Sequence, residues 1–350
     1  MKSFLNEKLN NMNVPMRIVR LIGIINEYKG KQDLYSQQSP QILEGLKKVA
    51  IIESTKASNE IEGIKIQQKR LEDIINKGKP INRENRSEGE IMGYKEVLET
   101  VHTSAEHIPI KPTYILQLHR DLYKFVASEG GHWKNADNVI QETLPDGTKN
   151  VRFKPTSAFE TPAAMEQLCN IISERIKEND VDPLIMTSAF ILDFLCIHPF
   201  NDGNGRMARI LTLLLLYKLG YEVGRFISLE KIIEQTKEEY YHTLYQSSQN
   251  WHEGDHDLLP WTEYLLGIIV AAYREFEERV GVSDDSRGSK SERLENAINH
   301  IIGEFTKDDI RRLCPDVGES TINRVLAKLK EEGKIDVKGK GRNASWIRIN

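Results

Sequence analysis

The sequence predicts a mostly α-helical fold: a helical bundle interrupted by one β-hairpin, then a small C-terminal unit of three helices and a two-stranded ribbon. Three observations lead there. Apolar residues recur at three- and four-residue intervals through most of the first 280 positions, the mark of helices that bury one face. Residues 211–216 are apolar almost all round, which suits a helix at the centre of a bundle. Two short segments, around 139–153 and 334–349, alternate instead with period two.

Composition sets outer limits. At 350 residues, with 39 % hydrophobic and 29 % charged positions, the chain has material for two or three domains. A net charge of −4 argues against commitment of the whole chain to nucleic acid or an anionic membrane. No apolar run reaches the roughly 20 residues of a membrane span. Cys169, Cys196 and Cys314 show no C-x-x-C spacing and no secretory leader precedes them, so a reducing cytoplasm is the expected location. Cys196 lies two residues before a histidine of interest, yet cysteine is so often buried that core packing is the simpler reading.

In chain order, the aliphatic residues from Ile18 to Ile25 predict one N-terminal helix, interrupted by Pro15 and ending at Lys29-Gly30. The Ser39-Pro40 step starts a second, with Ile42, Leu43, Leu46, Val49 and Ile52 on one face, running to about Ala57. Ser58-Asn59-Glu60-Ile61-Glu62-Gly63 follows. Residues 65–105 continue as helices divided at Gly78-Lys79-Pro80, and the next helix, 113–125, carries Leu118-His119-Arg120, where His119 reads as structural. Val139-Ile140-Gln141-Glu142, Pro145-Asp146-Gly147 and Val151-Arg152-Phe153 predict a hairpin with a tight turn. Helices 162–177 and 183–197 lead into a polar loop, which closes into the buried helix 207–219, ended by Gly220. Helices at 239–244 and 261–278 complete this part.

The loop is His198-Pro199-Phe200-Asn201-Asp202-Gly203-Asn204-Gly205-Arg206-Met207-Ala208-Arg209. Gly203 and Gly205 allow a backbone whose N–H groups turn inward, and the following helix offers more unpaired N–H groups to an anion. Arg206 and Arg209, three apart on the first turn, can both reach phosphate oxygens. Asp202 is a hard oxygen ligand suited to Mg²⁺ shared with phosphates. His198 is the one side chain here that is ordinarily a base near neutrality. The set describes metal-assisted displacement at phosphorus.

This loop resembles, without a departure, the H-x-F-x-[DE]-G-N-G-R-x-x-R signature of the Fic family. The resemblance covers residues 36–275 and implies a Fic helical bundle that moves AMP from ATP to a Ser, Thr or Tyr hydroxyl of a protein, itself included. It implies that His198 deprotonates the hydroxyl, and that Asp202 holds Mg²⁺, or Mn²⁺ in its place, on the α- and β-phosphates. Gly203, Asn204, Gly205, Met207 and Ala208 would complete the nucleotide-binding turn, while Arg206 and Arg209 would orient the β- and γ-phosphates. Phe200 would pin the loop to the core. The hairpin would be the flap, with Val139, Ile140 and Gln141 positioning the target segment by main-chain pairing. The family usually has Tyr-Arg ahead of the flap where this chain has Trp133-Lys134. Tyr240, Tyr241 and Ser248 would line the base pocket, although core packing explains both tyrosines almost as well.

Ser58, Glu62 and Gly63 match the [ST]-x-x-x-E-[GN] element by which many Fic proteins inhibit themselves. A second match begins at Ser291 and places Glu295, but Ser291 reads more simply as the cap of a new helix. A Glu62 carboxylate on Arg209 would take the partner of the γ-phosphate. The alternative is a solvated helix charge.

Residues 281–291 are polar and rich in Ser, Asp and Gly, a linker between a catalytic core at 106–280 and a unit at 292–350; residues 1–105 form the N-terminal helical region with the inhibitory motif. Three helices and a ribbon in 292–350 resemble a winged helix-turn-helix. From 305 onward the chain is about +4, with Thr321, Asn323, Arg324 and Lys328 on the groove-facing helix and Lys338, Lys340 and Arg342 at the wing tip. DNA and protein are both open as its partner, and a homodimer is the natural form if DNA is bound. Two other readings use the same residues: a DNA-binding regulator whose Fic core senses nucleotide, and removal of AMP from a target.

Overall fold

The computed structural model describes residues 1–38, 40–75, 85–143, 148–281, 290–299, 304–314, 317–339 and 345–348. A 3-10 turn at Lys2–Glu7 precedes α1 (Met16–Gln38) and α2 (Pro40–Ile61). Both helices run further than the spacing predicts. Gly30 keeps helical backbone, because a helical glycine with no proline behind it weakens a helix without stopping it. Residues 58–61, expected beyond α2, form its last turn. The stop is Gly63, with φ of 81°, after which the Ile64 amide returns to the Asn59 carbonyl at 2.9 Å.

Next come α3 (Gln68–Ile75), α4 (Arg86–Ser104) and α5 (Pro112–Leu122), the last ending three residues earlier than expected. Asn85 caps α4 by accepting from the Ser87 and Glu88 amides. The break expected at Gly78-Lys79-Pro80 lies outside the described residues. The hairpin pairs β1 (Ile140–Thr143) with β2 (Lys149–Phe153), antiparallel, with an irregular step between Ile140 and Gln141; residues 144–147, where its turn was expected, are also outside.

The centre follows as α6 (Thr161–Glu178), α7 (Pro183–Ile197) and α8 (Asn204–Lys218). The apolar run is buried on all sides, with Ile210, Leu211, Leu215 and Leu216 at zero exposure. Then come α9 (Leu229–Gln235), which the spacing does not predict, α10 (Lys237–Ser248) and α11 (Leu259–Gly281). Apolar side chains from α1, α2 and α4 share one core with those of α7, α8 and α11. All three cysteines are buried thiols, and burial pushes that of Cys196 well up. No described helix is long and apolar enough to cross a membrane.

The remaining elements have a core of their own, including Leu294, Phe305, Ile322 and Leu329. They are α12 (Lys290–Asn299), β3 (Glu304–Thr306), α13 (Lys307–Leu313), α14 (Glu319–Glu331), β4 (Ile335–Lys338) and β5 (Ser345–Arg348). The ribbon gains a third strand, in the order β3-β5-β4. Ser291 lies inside the first turn of α12 and does not cap it. It accepts from Arg324 at 2.6 Å, while Glu295 takes Lys328 at 2.8 Å and Lys334 at 3.5 Å. Arg324 and Lys328, expected on a free surface, are thus turned to α12; Asn323 is exposed and Thr321 half-buried. Lys340, Arg342 and most of the expected linker lie outside the described residues.

One close approach tests the packing. A Cβ on Gly93 of α4 would stand 1.9 Å from the Leu122 carbonyl oxygen, and one on Gly89 would stand 2.5 Å from that of Phe125. Helix α4 can lie against the end of α5 only with hydrogen at both positions. Gly93→Ala should therefore lower the stability of the chain by about 1–3 kcal/mol in urea unfolding. Gly23→Ala, where a Cβ meets nothing within 4 Å, should instead raise it by up to about 1 kcal/mol.

Candidate active site

Two left-handed residues shape the loop between α7 and α8. His198 ends α7 at φ 51°, its amide donating to the Phe194 carbonyl at 2.9 Å, and Gly203 opens α8 at φ 82°. Between them Phe200 is fully buried and stacks on His119, with ring centroids 3.6 Å apart. Asn204 closes the loop by accepting from the Phe200 amide at 2.9 Å and donating to its carbonyl at 2.8 Å.

His119 has the structural part its position suggested. The Gly131 amide donates to Nδ1 at 2.9 Å, so Nε2 carries the hydrogen and donates to the Asp202 carbonyl at 3.1 Å. Burial lowers its pKa to about 4 and keeps the ring neutral.

His198 faces a cleft of about 490 Å³. Its Nδ1 lies 3.3 Å from the Leu195 carbonyl; donation there leaves the Nε2 lone pair free to accept a proton. Burial lowers its pKa to about 4, so the ring is neutral at pH 7. The cleft also takes in Gly205 and Glu62, the hairpin residues Val139, Ile140 and Gln141, and Tyr240, Tyr241 and Ser248 of α10. Among these, Tyr240 is buried and packs edge-on to Trp261, Tyr241 is partly exposed, and Ser248 is buried with its hydroxyl donating to the Tyr245 carbonyl at 3.0 Å. Tyr240 is therefore both wall and core, whereas Tyr241 is wall alone.

The two arginines part company. Arg209 turns to α2: its Nε donates to Ser58 Oγ at 2.8 Å, and its Nη2 donates to the Ser58 carbonyl at 2.9 Å and to Glu62 Oε1 at 2.8 Å. Burial works against this cation, but the Glu62 charge and hydrogen bond together with the nearby Tyr240 and Tyr94 hydroxyls outweigh it, so the guanidinium stays protonated. Arg206 points the other way, to the Tyr123 hydroxyl at 2.9 Å, with Glu90 at 3.8 Å and Asp202 at 3.9 Å. The three-residue spacing places both on the first turn, but they take different partners, Arg209 on α2 and the turn after it, Arg206 on α4 and next to α5. Among the described residues, Arg206 Nε and Nη1 and Arg209 Nη1 have no hydrogen-bond partner although buried. Unfilled donors of that kind suit an oxyanion.

Glu62 lies where an anion would. A Cβ on Gly205 would stand 2.3 Å from Glu62 Oε1 and 3.3 Å from Arg209 Nη1, so the carboxylate rests on the first turn of α8. Gly63 follows as the left-handed stop of α2. The Met207 and Ala208 side chains are buried in the core and make no part of the cleft. Asp202 is more than half exposed; one carboxylate oxygen accepts from the Gly203 amide at 2.7 Å and the other from Arg86 at 3.0 Å. No group of three or more His, Cys, Asp or Glu side chains gathers as a metal site among the described residues. A single carboxylate fits Mg²⁺ held mainly by phosphates and water. Arg86, Glu90 and Tyr123 carry no sequence signal, because their approach depends on how α4 and α5 cross.

Residues 109–216 match the family model described as Fic/DOC. They form a Fic domain. The chain is 26 % identical over 233 residues to the protein adenylyltransferase fic-1 of Caenorhabditis elegans, an alignment that takes in 65 % of this chain and 41 % of the relative. It thus spans about two fifths of the length of that curated relative. A Fic family protein from Desulfovibrio desulfuricans G20 superposes over 97 % of both chains with a TM-score of 0.61 at 20 % identity. A Fic domain containing signaling protein from Bacteroides thetaiotaomicron covers 74 % of this chain and 97 % of its own, with a TM-score of 0.62 at 21 % identity. These likenesses establish the Fic fold around the cleft.

The buried histidines set a pH limit. Burial lowers the pKa of His102 to about 3 and of His119, His198 and His256 to about 4. The unfolded chain takes up these protons near pH 6.5 and the folded chain does not, so stability is lost as pH falls from 6.5 toward 4. At pH 5 each fully buried imidazole costs about 2 kcal/mol on this basis. The melting temperature should fall between pH 7 and pH 5, and His102→Phe should fall less steeply than the unaltered chain.

Proposed function

We propose that this chain is a protein adenylyltransferase, held back by Glu62. The observation that carries the reading is that Glu62, which lines the cleft holding His198, takes the buried Arg209 at 2.8 Å. ATP is the donor: the cleft has room for a nucleotide, and the unfilled donors of Arg206 and Arg209 suit its phosphates. His198 Nε2 takes the proton of a Ser, Thr or Tyr hydroxyl on the target. The hydroxyl oxygen bonds to the α-phosphorus, the bond from that phosphorus to the β-phosphate oxygen breaks, and pyrophosphate leaves. Asp202 would hold Mg²⁺, which neutralises phosphate charge when bound. Val139, Ile140 and Gln141 position the target segment, and α10 takes the base through Tyr241 and Ser248. With Glu62 on Arg209, the γ-phosphate lacks its partner and meets a like charge.

The C-terminal unit is a winged helix, a reading supported by the order of α12, β3, α13, α14 and the β4–β5 ribbon. Arg324 and Lys328 already serve Ser291 and Glu295, which favours a protein partner over DNA. A gel shift of duplex DNA by the whole chain at physiological salt would reverse that choice.

The transferase reading is tested with ATP labelled at the α- or the γ-phosphate, with Mg²⁺ and a lysate as target source. Glu62→Gly should incorporate α-label about 10- to 100-fold faster than the unaltered chain, the worth of one charged hydrogen bond. Adding His198→Ala should remove about 10²-fold or more of that rate. Absence of label from every variant, with nucleotide still bound, would overturn the reading.

A further inference from the structure

The four carbonyls of residues 197–200 are met by donors from one short segment just ahead of the hairpin. Lys134 Nζ donates to the Ile197 carbonyl at 2.9 Å, and the Lys134 amide donates to that of Pro199 at 2.8 Å. Asn138 Nδ2 donates to the Phe200 carbonyl at 3.2 Å and reaches that of His198 at 3.4 Å. The two side chains also hold each other, Lys134 Nζ donating to Asn138 Oδ1 at 2.9 Å. The residue after Asn138 is Val139, which lines the cleft and leads into β1.

Lys134 is an unusual choice for this place. It is 3 % exposed, and no carboxylate oxygen lies within ion-pair distance of it among the described residues. Burial lowers its pKa to about 8, so at pH 7 it remains mostly protonated. A buried cation is tolerated where its hydrogens meet strong acceptors, and Ile197 supplies one: the last carbonyl of α7, at the negative end of the helix dipole. The backbone it grips is the one that must stay left-handed at His198.

We infer that Lys134 and Asn138 are positioning residues for His198, and that through them the flap and the base move as one body. The inference rests on the reading of His198 as the base. A target strand that pairs with β1 pulls on the same segment whose side chains fix the carbonyls on either side of His198. Placement of the target and orientation of the imidazole are thereby coupled. The charged groups acting on that imidazole are Lys134 from this segment, Glu62 from the turn after α2 and Asp202 from the loop.

The test uses the whole chain carrying Glu62→Gly, with Lys134→Met, Lys134→Arg or Asn138→Ala added. Lys134→Met should lower kcat about 10- to 100-fold, the range a small misplacement of a catalytic group produces, while KM for ATP stays within about twofold. Lys134→Arg, which keeps a charged donor, should regain most of the rate. In ¹⁵N-histidine spectra the His198 resonances should shift in both Lys134→Met and Asn138→Ala, and in Lys134→Met the ring should titrate at a higher pH. If the parent Glu62→Gly chain transfers no AMP, the transferase reading fails and the spectra alone decide the clamp. Folded Lys134→Met and Asn138→Ala chains with unchanged His198 resonances overturn it in either case, as does a loss confined to KM.

Discussion

Everything at the site depends on α8 being buried on all sides while its first turn stays polar. That turn brings two guanidinium groups into the interior, Arg206 at 1 % and Arg209 at 4 % exposure. A cation buried that deeply is tolerated only with hydrogen-bonding partners, so the elements around it must supply them. Helix α2 and the turn that ends it do so for Arg209: Ser58 accepts from it and Glu62 pairs with it, while Ser54, four residues before Ser58, donates to Glu230 at 2.7 Å. Helices α4 and α5 do so for Arg206 through Glu90 and Tyr123. The N-terminal helices are held to the Fic domain by this polar seam as well as by the apolar core, and that gives their packing a fixed register.

The same burial explains the strained backbone above α8. A chain leaving α7 at the centre of the bundle must turn sharply to enter α8, and it does so with a left-handed histidine and a left-handed glycine five residues apart. The glycine is there for want of space, since a Cβ would stand 3.0 Å from the Tyr123 hydroxyl. The histidine is there at a conformational cost of about 1–3 kcal/mol, offset by the bonds the loop makes to Lys134, Asn138, His119 and Asn204. An imidazole carried on such a backbone is oriented by the fold itself.

How much of this was legible depended on whether a contact lies along the chain or across it. The loop 198–209 and the helices on either side could be read directly, because glycine placement, apolar period and the fixed spacing of His198, Asp202 and Arg209 are all local signals. The hairpin was legible for the same reason. Helix ends were less so: Gly30 and Ala57 look like stops, yet tertiary packing carries α1 and α2 past them. Strand β3 and helix α9 are too short to show a period. The opposite courses of Arg206 and Arg209, and the reach of Lys134 to Ile197, had no signal at all, since each is decided by which helix happens to cross at that height.

The Glu62–Arg209 pair is asymmetric, and the asymmetry bears on how it can open. The Arg209 side chain is 3 % exposed and fixed by Ser58, whereas Glu62 is 31 % exposed and lies in the turn just past the end of α2, one residue before a left-handed glycine. Removing Arg209 from its place would leave a cation without partners in the core. Displacing Glu62 needs only a loosening of the turn that ends α2, and on the proposed reading a phosphate oxygen would take its position before the guanidinium is left alone. One acceptor then replaces another, and the desolvated cation is never bare. The element that yields must therefore be the end of α2, while α8 and the loop above it keep the geometry that the core imposes.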